Sequence, residues 1–243
     1  MLVTRQRTNV KISVGLRDCR YMDVSFIFKL YEMATDHERN TDWYLDAYEF
    51  TKQLAEKYAH YGITQIKVAH LVSAISPQTK WEKNKENTVL ALQAYDAYKQ
   101  GWLTREQLPK IHKYGAMSTN GYAVLFDENY TLGQKTTSFA ANILGDYSIA
   151  TIDSLAMSIL LGFYEKSGSY KIQSTAYTYA QSLYANAGKQ LGVSAAEAQA
   201  VTWVVCRRLK KTHRKNNKQT LLDIVSIVGQ NPKDVLDYIQ NVG

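Results

Sequence analysis

Tyr130-Thr131-Leu132-Gly133-Gln134-Lys135-Thr136-Thr137-Ser138-Phe139-Ala140-Ala141-Asn142-Ile143-Leu144-Gly145-Asp146-Tyr147-Ser148-Ile149-Ala150-Thr151-Ile152-Asp153 is the stretch on which the reading of the fold turns. A polar turn opens it. A lysine and a threonine follow at the start of a small-residue helix, and a short β-branched segment ends on an aspartate. Lys135 and Asp153 stand 18 positions apart. Between them the pattern predicts a helix of about ten residues and a turn at Gly145-Asp146. A helix followed by an extended return is expected to bring both side chains to the mouth of one cleft.

Outward from this stretch the chain reads as mainly helical. Apolar residues recur at three- and four-residue steps, β-branched alternation is scarce, and only three prolines interrupt 243 residues. Thr41 or Asp42 is placed to cap a helix running through Tyr58, with Gly62 as its end. Thr64 caps the next helix, which runs into the turn Ser76-Pro77-Gln78-Thr79 and a helix from Lys80 through Tyr98. Gly115 to Gly121 reads as a loop, and Tyr122 to Phe126 as one or two helical turns. Further helices are expected over Leu155–Leu161 and Tyr170–Leu191. Another opens with the capping-box pattern Ser194-Ala-Ala-Glu197 and runs into a basic stretch. Thr220–Val228 and Pro232–Val242 read as two last short helices, and residues 1–20 as an irregular start.

Composition narrows the function classes. A hydrophobic share of 45% with 21% charged residues is that of a globular protein rather than a disordered one. No run approaches the roughly 18 apolar residues of a membrane span, so no membrane partner is expected. Met1 to Arg7 is too polar for a secretory signal, which points to the cytoplasm. The two cysteines, Cys19 and Cys206, lack zinc-site spacing and cannot supply an iron–sulfur ligand set. The histidines show no ligand spacing either, so neither metal nor other cofactor is expected. Net charge is +7, and the excess crowds into Arg207, Arg208, Lys210, Lys211, Arg214, Lys215 and Lys218, with no acid among them. Such a run favours a polyanionic partner, DNA before all others. The alternative is a solvated helix end.

The Lys135–Asp153 block resembles the helix-hairpin-helix DNA glycosylases, particularly the endonuclease III branch. There a hairpin of the form L-P-G-V-G-x-K-T-A precedes a helix, an extended segment and V-D-T-H. Leu132-Gly133-Gln134-Lys135-Thr136 aligns with V-G-x-K-T and Ile152-Asp153-Ser154 with V-D-T, without a gap between lysine and aspartate. Upstream, Leu71-Val72-Ser73-Ala74 with Thr79 and Asn84 is similar to the family's L-L-S-A-Q-x-T helix start, with a two-residue insertion. Tyr130 stands in place of the hairpin proline, Thr131 in place of its first glycine, and Leu155 in place of the histidine after V-D-T. Ser76 to Asn84 and Gln199 to Arg207 are also similar to blocks of uncharacterised phage proteins.

The resemblance implies an all-α fold of two lobes with a cleft between them, lobes of 64–162 and of 1–63 plus 163–243 in one monomeric unit. It implies an N-glycosylase acting on a flipped-out base, with or without strand cleavage. Lys135 would attack C1′ as a neutral amine and Asp153 would stabilise the oxocarbenium-like sugar. Gly133, Gln134 and Thr136 would meet the DNA backbone with Arg207, Arg208, Lys210, Lys211, Arg214 and Lys215. Gln78, Thr79, Trp81 and Asn84 would line a base pocket. Each residue also has a plainer role. Lys135 can be a phosphate contact or a helix-start cation, and Asp153 a helix cap. Trp81 and Asn84 can be core with a buried hydrogen bond. Gln199, Trp203 and Arg207 share one helix face, which is either cleft wall or core. Two other functions fit the same residues: a phage transferase that builds a group onto a modified pyrimidine, and a non-catalytic DNA-binding or host-takeover protein. The strand state of the DNA is left open.

Overall fold

A computed structural model describes residues 12–40, 42–77, 79–108, 115–127, 130–162 and 170–215. The described chain is mostly helical. Its helices are α1 (Ser25–Glu32), α2 (Asp36–Arg39), α3 (Trp43–Lys57), α4 (Gln65–Ile75), α5 (Trp81–Lys99), α6 (Gly115–Leu125), α7 (Gln134–Ile143), α8 (Ser154–Leu161), α9 (Ser174–Leu191) and α10 (Ala195–Lys215). Two three-residue strands, β1 (Ile12–Val14) and β2 (Tyr170–Ile172), pair in parallel with Ser13 opposite Lys171. The sequence pattern puts an irregular start at β1 and a helix start at β2. Three residues are too few to show an alternation, and these two strands pair across more than 150 positions. Residues 220–228 and 232–242, where two last helices are expected, lie outside the described residues.

The chain divides into two compact units, Arg39–Thr151 and Met1–Glu38 with Ile152–Gly243. These divisions fall elsewhere than residues 63/64 and 162/163. The reason is packing: α3 lies on α4, and α8 lies on α1 and α10.

In the central unit α4 is the axis, packed by α3, α5, α6 and α7. Thr64 caps it by accepting from the Lys67 amide at 3.2 Å. Its residues Val68, Ala69, Leu71, Val72, Ser73, Ala74 and Ile75 are all buried, so beyond its first turn it is covered on nearly every side. Each large aliphatic side chain there contributes about 2 kcal/mol by leaving water. Gly115 to Gly121 is helix, not loop. Glycine, serine and asparagine lower helix propensity, but tertiary packing overrides it. A Cβ on Gly121 would meet Ile75 Cγ2 at 2.8 Å and Leu71 Cδ1 at 3.1 Å. The residue that reads as a breaker is what lets α6 approach α4.

Asn142, fully buried near the end of α7, fixes the segment that follows. Its Nδ2 donates to the carbonyls of Asp146 at 2.7 Å and Ile149 at 2.9 Å. Its Oδ1 accepts from Thr151 Oγ1 at 2.7 Å and Tyr44 Oη at 3.3 Å. The 146–151 connection therefore keeps one course without regular structure.

In the terminal unit α10 packs on α9, α1 and α8. Ser194 caps α10, accepting from the Glu197 amide at 3.1 Å. Gly192, at φ 73°, ends α9. The core includes Phe26, Ile27, Leu30, Met157, Leu160, Tyr184, Val201 and Val205.

Candidate functional site

Asp153 belongs to the terminal unit. It is the N-cap of α8, with extended backbone (φ −98°, ψ −177°), half-buried. Oδ1 accepts from the amides of Leu155 at 2.9 Å and Ala156 at 2.8 Å. Oδ2 accepts from the indole Nε1–H of Trp203 at 3.0 Å. A cap needs only one oxygen. Here both are held, so the plane of the carboxylate is set. Three donors leave part of its acceptor capacity unused.

Trp203 comes from α10, and the guanidinium of Arg207, one turn on, lies 4.6 Å from the centre of its ring. Arg207 is exposed and has no carboxylate partner among the described residues. Arg208, the next residue, is in the opposite condition. Its Nε and Nη2 donate to Glu38 at 2.8 and 3.1 Å, and Nη2 also to the Met33 carbonyl at 2.9 Å. Glu38 is buried, and the Arg208 hydrogen bond holds its carboxyl below the usual carboxylate range. Of the basic stretch, Arg208 is thus tied into the fold and Arg207 is presented. The backbone of Lys210, Lys211, Arg214 and Lys215 continues α10, and their side chains lie outside the described residues, as does Lys218.

Cys206 and Tyr184, both buried, lie near Asp153. Burial, with a smaller contribution from the Asp153 charge, pushes the Cys206 thiol up to about 12. Burial likewise raises the phenol of Tyr184, which donates to the Ala156 carbonyl at 3.2 Å. Neither group is ionised near neutral pH.

Lys135 belongs to the central unit, in the first turn of α7. It is half-buried, and among the described residues no hydrogen bond or ion pair engages its ammonium. Gly133 is the N-cap of α7, with φ −66°, a value open to any residue. A Cβ there would meet only Thr136 Oγ1 at 3.9 Å. Neither strain nor crowding calls for glycine at this position. The Thr136 hydroxyl donates back to the Gly133 carbonyl at 2.7 Å. Before it, Lys67 of α4 pairs with Asp127 at 2.7 Å, and His70 Nδ1 meets Tyr130 Oη at 3.0 Å. The approach to α7 is therefore anchored on α4. Burial lowers the pKa of His70.

The proposed base-pocket residues take packing roles. Trp81 lies against Trp43 at 4.8 Å and Phe50 at 6.1 Å between ring centres. Trp43 in turn stacks on Phe139 at 5.7 Å, one helical turn after Lys135. Trp43 thus joins Trp81 to the face of α7, a link the sequence reading missed. Asn84 is buried and its Nδ2 donates to the Val72 carbonyl at 3.1 Å, closing the end of α4. The Thr79 hydroxyl donates to the Pro77 carbonyl at 3.2 Å. Gln78 lies outside the described residues. Gln199 is buried on α10, Trp203 half-buried and Arg207 exposed, so this face runs from core to surface.

A family model matches residues 15–210, most of the chain, and its description is a family of unknown function (DUF7178). The chain belongs to DUF7178. The span that defines membership in DUF7178 takes in residues of both units, including Lys135, Asp153, Trp203, Arg207 and Arg208. None of the curated proteins and none of the solved structures matches the chain. Among the described residues no cluster of three or more His, Cys, Asp or Glu is arranged to hold a metal ion. None of their helices is long and apolar enough to cross a membrane.

Proposed function

We propose that this protein acts on DNA at a nucleotide turned out of the stack, as an N-glycosylase that uses Asp153 and Lys135. The observation that carries the reading is the carboxylate of Asp153, held through both oxygens by the Leu155, Ala156 and Trp203 N–H groups. A carboxylate that stabilises an oxocarbenium-like sugar acts by preorganised charge and needs a fixed position rather than mobility. Arg207, stacked and unpaired with any described acid, supplies a cation for the phosphate backbone on the same helix that holds Asp153. Lys135 has an ammonium with no described partner to break before it reacts, as an amine nucleophile requires. The glycosylase-like arrangement of two lobes around a cleft belongs to this proposal.

Borohydride trapping on a duplex with an abasic site tests it. Attack of a neutral Lys135 amine on the C1′ aldehyde, with loss of water, gives an imine that borohydride reduces to a stable cross-link. The expected result is a cross-link in the wild type, none in Lys135→Ala and far less in Asp153→Asn. No cross-link in the wild type, or an equal one in all three, contradicts the assignment.

The cap geometry favours a second reading, in which Asp153 only starts α8 and the protein binds DNA without chemistry. That reading predicts salt-dependent binding that Lys135→Ala hardly changes. Mass spectrometry of the nucleosides after incubation would show neither a released base nor an added group.

A further inference from the structure

Asp153 is held by more than a helix cap requires. Its Oδ1 already takes the two backbone amides at the head of α8. The Trp203 bond goes to Oδ2, from a different helix, at a sequence distance of 50. The two oxygens turn together about the Cβ–Cγ bond, so this bond adds, from a second helix, a further restraint on a rotation the cap already limits. The indole that donates it has contacts of its own. One of its faces carries the Arg207 guanidinium at 4.6 Å, and its helix is packed on α8 and α9. Tyr184 and Cys206, which feel the Asp153 charge, are buried, and burial keeps both neutral.

From this geometry we infer that Trp203 is a positioning residue: its Nε1–H fixes the second oxygen of Asp153 toward a cationic sugar, and Arg207 locks the indole in place from above. The inference rests on the glycosylase reading of Asp153. It assigns the role to the N–H and not to the bulk of the ring. Hydrogen bonds to a charged group are strong enough for the loss of one to cost about tenfold in binding to that group's target.

The test needs no knowledge of the target base. Two duplex oligonucleotides serve as probes, one with a pyrrolidine nucleotide, which is protonated and mimics the charge of the oxocarbenium ion. The other carries the uncharged tetrahydrofuran isostere. The ratio of their dissociation constants isolates what the carboxylate contributes. Wild-type protein is expected to prefer the charged probe. Trp203→Phe is expected to lose about tenfold of that preference, with affinity for the tetrahydrofuran probe unchanged. Where Trp203→Phe fails to fold, benzothienylalanine at position 203 replaces the N–H with sulfur at nearly constant shape, and the same loss is expected. Retention of the full preference in the folded variant overturns the role of Trp203 while leaving that of Asp153 standing. Absence of any preference in the wild type overturns the reading of Asp153 itself. Arg207→Ala, read in parallel, is expected to weaken both probes and to reduce the ratio less than Trp203→Phe does. A ratio untouched by Arg207→Ala removes the locking role from Arg207.

Discussion

Lys135 and Asp153 occupy similar places, each at the start of a short helix, and the protein treats them in opposite ways. Asp153 is gripped by three N–H donors, one of them from a helix 50 residues away. Lys135 is gripped by none among the described residues. The same contrast recurs between neighbours on α10, where Arg208 is bound to the buried Glu38 and Arg207 is stacked and open. Adjacent or equivalent positions in sequence thus separate into groups that hold the fold and groups left available to a partner. The available ones cost little to remove in stability, and the held ones cost much.

Mutation can break or sharpen that contrast. The largest effect is expected at Asn142, which is fully buried and holds the 146–151 connection through four hydrogen bonds. Asn142→Ala removes all four hydrogen bonds at a fully buried position and should cost about 3 kcal/mol in urea unfolding. Asp153→Ala should cost about 2 kcal/mol, the loss of a cap plus the loss of the indole's acceptor. Lys135→Ala should stay within about 0.5 kcal/mol of wild type. Equal losses at the two sites would erase the distinction.

Arg208→Ala should cost about 2 kcal/mol by leaving Glu38 buried and unpaired. Its pH dependence has a definite sign. Arg208 lowers the carboxyl of Glu38 below the ordinary 4.5, so the pair's stabilisation is complete above that value and is lost as pH falls through the lower folded value. Glu38→Gln should flatten that part of the acid limb. The smallest change in stability is expected for Arg207→Ala, within about 0.5 kcal/mol. On the proposed function the order reverses for DNA binding: Arg207→Ala should reduce the slope of log K against log salt by about 0.9, the share of one phosphate contact. Arg208→Ala, once its stability loss is allowed for, should leave the slope unchanged.

Much of this organisation was legible in the sequence. Thr64 and Ser194 as caps, Gly192 as a stop, and Asp153 at the head of an apolar helix all follow from local chemistry, and the structure has them so. Gly62 ends a short 3-10 turn that follows the helix of Trp43–Lys57 rather than that helix itself. What stayed hidden depends on distant partners. The β1–β2 pairing, the Trp203–Asp153 bond and the Arg208–Glu38 pair join residues from 50 to 170 positions apart. No periodicity encodes such a meeting. The misreading of Gly115 to Gly121 has a related cause. Gly121 weakens its helix when considered alone, and only the close face of α4 shows why glycine serves there. At the candidate site, the sequence singled out Asp153 by its spacing to Lys135. It had no means of showing that both carboxylate oxygens are held, which is the feature the functional proposal uses.

Asp153→Asn gives the most direct test of that proposal. Asparagine caps helices about as well as aspartate, so α8 keeps its start while the negative charge is gone. The measurement is the release of free base, followed by mass spectrometry, from DNA carrying deaminated, oxidised, alkylated and phage-type hypermodified bases. The account predicts release of at least one base by the wild type and a loss of about a hundredfold or more in Asp153→Asn, the scale of removing an electrostatic stabiliser. The asparagine's single oxygen can serve the cap or the Trp203 N–H but not both, so the variant should lose about 1 to 2 kcal/mol in unfolding and is compared where it remains folded. No base released by the wild type, or release undiminished in Asp153→Asn, would contradict it.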